Sequence, residues 1–160
     1  MPTLYLLRHA KSSWDDPGLA DHDRPLAERG LRNAAVLSEH LRAAQILPEL
    51  VLCSTAQRAR ETLAAVLPAF DGETEILVER GLYGSSADEL LARLRAVPEA
   101  VASAMVVAHN PGLEELASRL AGDEAPERLP TAALVELVSE DTWPSLGESP
   151  CRIVSTTVPR

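Results

Sequence analysis

The sequence contains few aromatic residues and few cysteines. Aromatic residues make up 3% of the 160 residues while hydrophobic residues make up 46%, so the core must consist mainly of Leu, Val, Ile and Ala. This composition argues against a small aromatic-rich barrel and favours packed helices and strands. The two cysteines, Cys53 and Cys151, allow one disulfide, which would add little to a core of this size. We therefore expect both thiols to be reduced.

The chain also lacks a positive net charge and a long apolar run. Its formal net charge is -9, which argues against nucleic acid and anionic membranes as partners and requires any anion site to be local. The apolar stretch Leu4–Leu7 is too short for a signal sequence or a membrane span, and no later run approaches the roughly 20 residues that a span needs. We therefore expect a cytoplasmic protein whose residues 1–160 form a single domain.

Short apolar segments alternate with segments of helical periodicity. The predicted strands are Thr3–Leu7, Leu50–Cys53, Glu75–Val78, Ala104–Ala108, Ala132–Val138 and Arg152–Val158. Helical segments follow each of the first four strands: 31–44, 57–67, one opened by Gly84-Ser85-Ser86, and one containing Leu113, Leu116 and Leu120. Strands joined through helices pair in parallel. The pattern predicts a three-layer α/β/α sandwich with a mostly parallel central sheet and an antiparallel edge among the last two strands.

The residues at the helix boundaries predict how each helix begins. Ser54 or Thr55 is expected to cap the helix near Gln57. Asn110 is a good N-cap, and Pro111 suits the first helical position. In the first helix one apolar stripe is expected to be buried, formed by Leu31, Ala34, Leu37, Leu41 and Ala44.

Polar and reactive side chains follow the strands directly. Arg8 and His9 come after the first strand, Arg58 shortly after the second, Glu79 after the third and His109 after the fourth. Because the carboxyl ends of parallel strands meet at one edge of a sheet, these side chains are expected to converge there. Helix N-termini at the same edge attract anions.

Two arginines and two histidines at one point call for an anion with several acceptor oxygens. A phosphoryl group fits best, because guanidinium groups bind its oxygens in pairs. Neighbouring arginines would lower the pKa of His9, keeping its ring neutral and nucleophilic. The attack would give a phosphohistidine that water then hydrolyses. No carboxylate cluster with Mg²⁺-like spacing and no His/Cys ligand set is evident, so we expect neither a metal nor another cofactor.

Other reactive side chains are interpreted as structural. Cysteine phosphatases place an arginine at a fixed spacing after the catalytic cysteine, and counting from Cys53 that position is Ala59. Cys53 also ends an apolar strand, which is typical of a buried structural thiol. His22 and His40 are interpreted as ordinary surface histidines.

Four segments together resemble one known family. They are Leu6-Leu7-Arg8-His9-Ala10, Arg24-Pro25-Leu26 with Gly30, Ser54-Thr55-Ala56-Gln57-Arg58-Ala59 with Thr62, and Val107-Ala108-His109-Asn110-Pro111. Their order and spacing resemble the histidine phosphatase superfamily, which has the phosphoglycerate mutase-like fold. The segment from Arg8 to Trp14, and Asp21 ahead of Arg24, resemble its SixA-type phosphohistidine phosphatases. Ala10 replaces a glycine common in the mutase branch, and the insertions that form a lid there are missing.

The resemblance implies a role for each matching residue. It implies that His9 is the nucleophile, that Arg8, Arg58 and His109 bind the phosphoryl group, and that Arg24 belongs to the pocket. The general acid remains open between two carboxylates. Glu79 lies in a segment similar to the glutamate segment of the mutases, whereas Asp21 lies in the loop shared with the SixA-type members.

The resemblance also implies a substrate. Without a lid the pocket is expected to be open and to admit a phosphate carried by a protein, with phosphohistidine as the expected substrate. Two alternatives stay open at this point: a phosphomonoesterase of the same superfamily that acts on a small phosphoester, and a phosphoprotein-binding module without catalysis.

Overall fold

A six-stranded sheet forms the centre of the protein. The computed structural model describes residues 1–160, with strands β1 Thr3–Arg8, β2 Leu50–Ser54, β3 Glu75–Glu79, β4 Ser103–Ala108, β5 Leu134–Val138 and β6 Arg152–Thr157. The strand order is β3-β2-β4-β1-β5-β6. The first four strands in this order pair in parallel, β5 is antiparallel to β1, and β6 is antiparallel to β5. The predicted parallel sheet with an antiparallel edge is confirmed.

Four α-helices cover the two faces of the sheet: α1 Glu28–Ala43, α2 Gln57–Val66, α3 Ala87–Arg95 and α4 Gly112–Ala121. Helices α1 and α2 pack on one face, where Leu37 and Leu63 join the core around Leu7. Helices α3 and α4 pack on the other face, where Leu90 and Leu116 join a larger core. This is the predicted three-layer α/β/α arrangement. None of the helices combines the length and the apolar character that a membrane span requires.

Two predicted helix caps are wrong, although α2 begins at Gln57 as expected. Ala56 is the N-cap of α2 and provides no side-chain cap; the Ser54 hydroxyl instead accepts from the Ala56 N–H at 3.2 Å. Pro111 is the N-cap of α4, which begins one residue later than expected. Asn110 does not cap this helix: its Nδ2 donates to the Leu129 carbonyl oxygen at 2.9 Å, and its Oδ1 is buried without a partner. By contrast α3 has a full capping box between Ser86 and Glu89.

The ends of the α1 stripe and the start of β5 also differ from the prediction. Leu31 is 50% exposed and Ala44 is exposed, so only the middle of the stripe is buried. Strand β5 begins two residues later than expected because Ala132 has a φ of 64°, which is outside the extended region. Cys53 and Cys151 are buried and unpaired as expected, and burial raises the pKa of Cys53 to about 12.

The strand register aligns the residues that follow the strands. Arg8 pairs with Ala108 across β1 and β4, so the next residues, His9 and His109, leave neighbouring strands at the same level. Ser54 pairs with Glu79 at the ends of β2 and β3. The reactive side chains predicted from the sequence therefore start from one edge of the sheet.

Candidate active site

His9 is held by backbone hydrogen bonds on both sides and is 6% exposed. Its N–H donates to the Ala108 carbonyl oxygen at 3.2 Å, and its carbonyl oxygen accepts from the Ala132 N–H at 3.0 Å. The ring nitrogen Nδ1 lies 2.7 Å from the carbonyl oxygen of Ala10. Because a carbonyl oxygen only accepts, the neutral ring carries its proton on Nδ1. The lone pair is therefore on Nε2.

The second histidine lies beside the first. The ring centroids of His9 and His109 are 5.2 Å apart, with the rings tilted by 53°. Nε2 of His109 lies 2.7 Å from the hydroxyl oxygen of Ser54, at the end of β2. Nδ1 of His109 is buried without a hydrogen-bond partner, as are the Nε atoms of Arg8 and Arg58. The cluster thus retains hydrogen-bonding capacity that the protein does not use.

Both imidazoles are neutral at neutral pH. Burial lowers the pKa of His9 to about 4, and the positive charges of Arg58, Arg8 and Arg24 act in the same direction. Burial also lowers the pKa of His109 to about 3, with further contributions from His9 and Arg58. A ring with a free lone pair and no charge can attack an electrophile or accept a hydrogen bond.

Arg8 is fixed by the loop before β5. One of its Nη groups donates to the Leu129 carbonyl oxygen at 3.0 Å, and the same oxygen accepts from Asn110. The Leu129 N–H donates to the Glu114 carboxylate at 2.7 Å. Burial lowers the pKa of Arg8, while the negative charge of Glu114 opposes that effect. The guanidinium keeps four N–H groups that make no hydrogen bond to the protein.

Asp21 connects the other cationic side chains. Its carboxylate accepts from Arg58 at 3.0 Å, from Arg24 at 3.2 Å and from the Tyr83 hydroxyl at 2.6 Å. The hydrogen bond from Tyr83 is the largest cause that lowers the pKa of Asp21 to about 2, and the two arginines add to it. Asp21 is therefore an anion in the free protein. Arg24 also donates to the Ser12 hydroxyl at 2.8 Å.

Glu79 is not part of this cluster. Its two carboxylate oxygens accept from Arg93 of α3, at 2.6 Å and 2.9 Å. Its carboxylate is therefore engaged on the α3 side, although its backbone lies at the same sheet edge as the histidines. Of the seven residues that the sequence suggested for the site, the structure joins five around His9 and leaves Glu79 in a separate ion pair.

Two residues at the site were missed by the sequence analysis. The Tyr83 ring lies edge-on to His109, with centroids 5.7 Å apart, and His22 lies edge-on to Tyr83 at 4.8 Å. His22 was interpreted as an ordinary surface histidine; its side chain is 39% exposed, but Nε2 of its ring also lies 2.8 Å from the Thr55 hydroxyl oxygen. The only sequence signals were the position of Tyr83 shortly after Glu79 and of His22 directly after Asp21.

Comparison with known proteins agrees with this geometry. The model of the histidine phosphatase superfamily (branch 1) matches residues 4–85. A protein of Mycobacterium tuberculosis, itself uncharacterized, is 36% identical over 163 residues, covering 96% of this chain and 100% of the relative. The phosphohistidine phosphatase SixA of Escherichia coli is 27% identical over 142 residues, covering 87% of this chain and 86% of the relative.

A solved structure is similar over the whole chain. The crystal structure assigned to phosphohistidine phosphatase SixA from Agrobacterium tumefaciens is 32% identical, with a TM-score of 0.86 and coverage of 99% of both chains. The six-stranded sheet and its flanking helices match the phosphoglycerate mutase-like fold of such neighbours.

Proposed function

Because the chain belongs to the histidine phosphatase superfamily, we propose that it is a phosphatase that forms a phosphohistidine on His9 and removes phosphate from phosphohistidine in a protein. Family membership and the SixA neighbours support phosphatase activity in general. One observation carries the more specific proposal: His9 keeps its proton on Nδ1, against the Ala10 carbonyl oxygen, and presents an unprotonated Nε2.

In the first step Nε2 of His9 attacks the phosphorus atom of a substrate phosphohistidine. The new bond joins Nε2 to phosphorus, and the bond between phosphorus and the substrate nitrogen breaks. His9 becomes a phosphorylated ring that is still protonated on Nδ1, and the Ala10 carbonyl oxygen at 2.7 Å stabilises that proton. If the substrate ring carries a proton on its distal nitrogen, it leaves as neutral imidazole. The step therefore exchanges one phosphoimidazole for another without net proton transfer.

Arg8, Arg58 and His109 surround the phosphoryl oxygens in this proposal. Phosphoryl transfer depends on in-line positioning and on neutralising the charge of the equatorial oxygens. The arginines retain N–H groups that the protein does not use, and both are fixed by hydrogen bonds to backbone carbonyl oxygens, of Leu129 and Asp21. Such preorganised donors lower the barrier by about 3 kcal/mol each in comparable sites.

The state of the carboxylates favours histidine as the leaving group. Asp21, with a pKa of about 2, has no proton to give, and Glu79 is paired with Arg93. An alkoxide leaving group needs a proton from an acid, because its basicity is high. A protonated phosphoimidazole needs no such acid, because it leaves as neutral imidazole, a weak base whose conjugate acid has a pKa near 6.5. The site is therefore better suited to phosphohistidine than to an alkyl phosphate.

Asp21 has a role in the second step. Water attacks the phosphorus atom, the bond to Nε2 breaks, and the proton from water passes to an acceptor. Asp21 adjoins Arg58, which binds the phosphoryl oxygens in this proposal, so it is the better placed of the two candidate carboxylates to accept that proton. We assign this proton transfer to Asp21 and none to Glu79. No metal takes part in either step as proposed.

The rim of the site supports a protein substrate. His9 and Arg58 are buried, whereas the Asp21 side chain is 50% exposed, so the cluster opens to solvent on the Asp21 side. An open rim admits a phosphorylated side chain that projects from a folded partner.

We also propose that residues 1–160 act as one domain, since β1 and β6 near the two ends of the chain belong to one sheet.

The test compares three substrates in the presence of excess chelator: a peptide with phosphohistidine, an aryl phosphate and an alkyl phosphate. We expect kcat/KM to decrease in that order, with the alkyl phosphate at least about tenfold below the peptide. Rapid quenching in alkali followed by mass spectrometry should locate an acid-labile phosphate on His9. A higher kcat/KM for the alkyl phosphate would instead support a small-molecule phosphomonoesterase.

Two further results would change the mechanism. Loss of turnover in chelator would contradict the metal-free reaction. Binding of phosphopeptide without turnover would support a phosphoprotein-binding module. For the second step, Asp21→Asn should slow hydrolysis of the intermediate by about tenfold or more, so that phosphorylated enzyme accumulates. An unchanged steady-state level of phosphoenzyme would remove Asp21 from that step.

A further inference from the structure

A polar cavity adjoins the cluster around His9. It has a volume of about 320 Å³ and is lined by His22, Thr55 and Arg80, with no hydrophobic residue among them. None of these three residues has a role in the phosphoryl chemistry proposed above. The cavity therefore requires a separate explanation.

The cavity and the phosphoryl site are built from the same two segments. Asp21 contacts Arg58, and the next residue, His22, lines the cavity. Likewise Ser54 contacts His109, and the next residue, Thr55, lines the cavity. The two latter side chains are joined by a hydrogen bond of 2.8 Å. A single aromatic ring, that of Tyr83, lies between His22 and His109. The cavity therefore lies one aromatic ring away from the phosphoryl site.

The charges at the cavity favour an anion. Arg80 is exposed and takes part in no ion pair, so its charge is available to a ligand. The Thr55 hydroxyl and the His22 ring add hydrogen-bonding groups. Two carboxylates lie nearby: Asp23, which is 3.4 Å from the other ring nitrogen of His22 and 66% exposed, and Asp21, which is paired with Arg24 and Arg58. An uncompensated arginine beside polar groups contrasts with the net charge of -9 of the whole chain.

We propose that this cavity is a subsite for a second anionic group of the substrate, a carboxylate close to the phosphoryl group. Under the proposed function this carboxylate belongs to an acidic side chain near the phosphohistidine of a protein substrate. The identification of the carboxylate as a protein side chain rests on that proposed function. A carboxylate on a small phosphoester has the same chemistry. Guanidinium groups bind carboxylates through paired hydrogen bonds, which gives Arg80 the main contribution.

The first experiment uses two phosphohistidine peptides that differ by one residue, Glu or Gln, next to the phosphorylated histidine. We expect kcat/KM to be about three- to tenfold higher for the Glu peptide. In Arg80→Gln this ratio should fall close to one. The matched control is Arg152→Gln, which removes the same charge at the opposite edge of the sheet and should keep the ratio. A ratio that survives in Arg80→Gln overturns the proposal.

A second pair separates the subsite from the proposed protein substrate. It consists of 4-nitrophenyl phosphate and 3-carboxy-4-nitrophenyl phosphate, which differ by one carboxylate. If neither peptide is hydrolysed but the carboxylated aryl phosphate is preferred and Arg80→Gln removes this preference, the protein substrate is wrong and the subsite stands. If either pair is hydrolysed and no pair shows a preference that depends on Arg80, the subsite is wrong and the phosphatase chemistry stands.

Discussion

The floor and the rim of the candidate active site follow opposite physical rules. On the floor, His9 and His109 are buried, and burial keeps them neutral by lowering the pKa of both. On the rim, Asp21 is half-exposed, and hydrogen bonds from Tyr83 and Arg58 keep it charged by lowering its pKa. The pKa is therefore lowered in both regions, by burial on the floor and by hydrogen bonds on the rim. The comparison shows that the site combines neutral imidazoles on its floor with a charged carboxylate on its rim.

The largest effect is expected at the floor. His9→Ala removes the proposed nucleophile, so kcat should fall by roughly 10⁴-fold or more and no phosphoenzyme should form. His40→Ala is the control, since His40 lies on α1 and contacts Thr157 rather than the site. Phosphatase assays and phosphoenzyme trapping on both variants provide the measurement. Phosphoenzyme in His9→Ala would mean that another residue is the nucleophile.

Arg58 joins floor and rim, so its replacement tests both. Arg58→Lys keeps the charge but loses the planar donor groups that bind the Asp21 carboxylate and carbonyl oxygen together, at 3.0 Å and 2.8 Å. We expect kcat/KM to fall by about 10²-fold. Arg60→Lys, two residues along α2 and exposed, should retain kcat/KM within about twofold. Equal losses in the two variants would show that the effect comes from the helix rather than from the site.

The pH dependence distinguishes a buried nucleophile from an exposed one. For an ordinary histidine with a pKa near 6.5, the neutral fraction of the ring falls about thirtyfold when the pH is lowered to 5. His9, with its pKa lowered to about 4, stays mostly neutral at that pH. The acid limb of kcat/KM should therefore lie near pH 4 once ionisation of the substrate is corrected for. Circular dichroism at each pH checks that the protein stays folded; a limb near pH 6.5 in folded protein would contradict a buried neutral ring.

Glu79 gives the smallest expected effect. It forms an ion pair with Arg93, and both side chains are 28% exposed, so Glu79→Gln should lower the free energy of unfolding by about 0.5–1 kcal/mol. Because this pair is separate from the cluster around His9, kcat should change by less than about threefold. Denaturant unfolding and steady-state kinetics test the two statements. A loss of kcat comparable with that of Asp21→Asn would return Glu79 to the mechanism.

The sequence predicted the floor well because it depends on strand ends. Arg8, His9 and His109 follow apolar runs whose periodicity is evident, and parallel pairing brings such positions together. The antiparallel edge follows from the same pattern, because the last two predicted strands are joined without a helix. Arg58 was predictable because it lies in the first turn of the helix after β2.

The rim was less predictable because it depends on contacts between loops and distant helices. The partner of Glu79 is Arg93 on α3, and nothing in the local sequence around Glu79 indicates it. Asn110 has the residue type of an N-cap, but its side-chain amide donates a hydrogen bond to the carbonyl oxygen of Leu129, 19 positions further along the chain. His22 and Tyr83 meet only after two loops have folded against each other.

The register of β1 against β4 has a consequence for how the site tolerates change. The spacing of the two imidazoles derives from the pairing of Arg8 with Ala108, and this pairing is made by the main chain. Core substitutions that preserve that pairing leave the imidazole separation intact, even when they alter many side chains. A shift by a single position between these strands would turn alternate residues to the opposite face and move one imidazole along the sheet by about 3.3 Å.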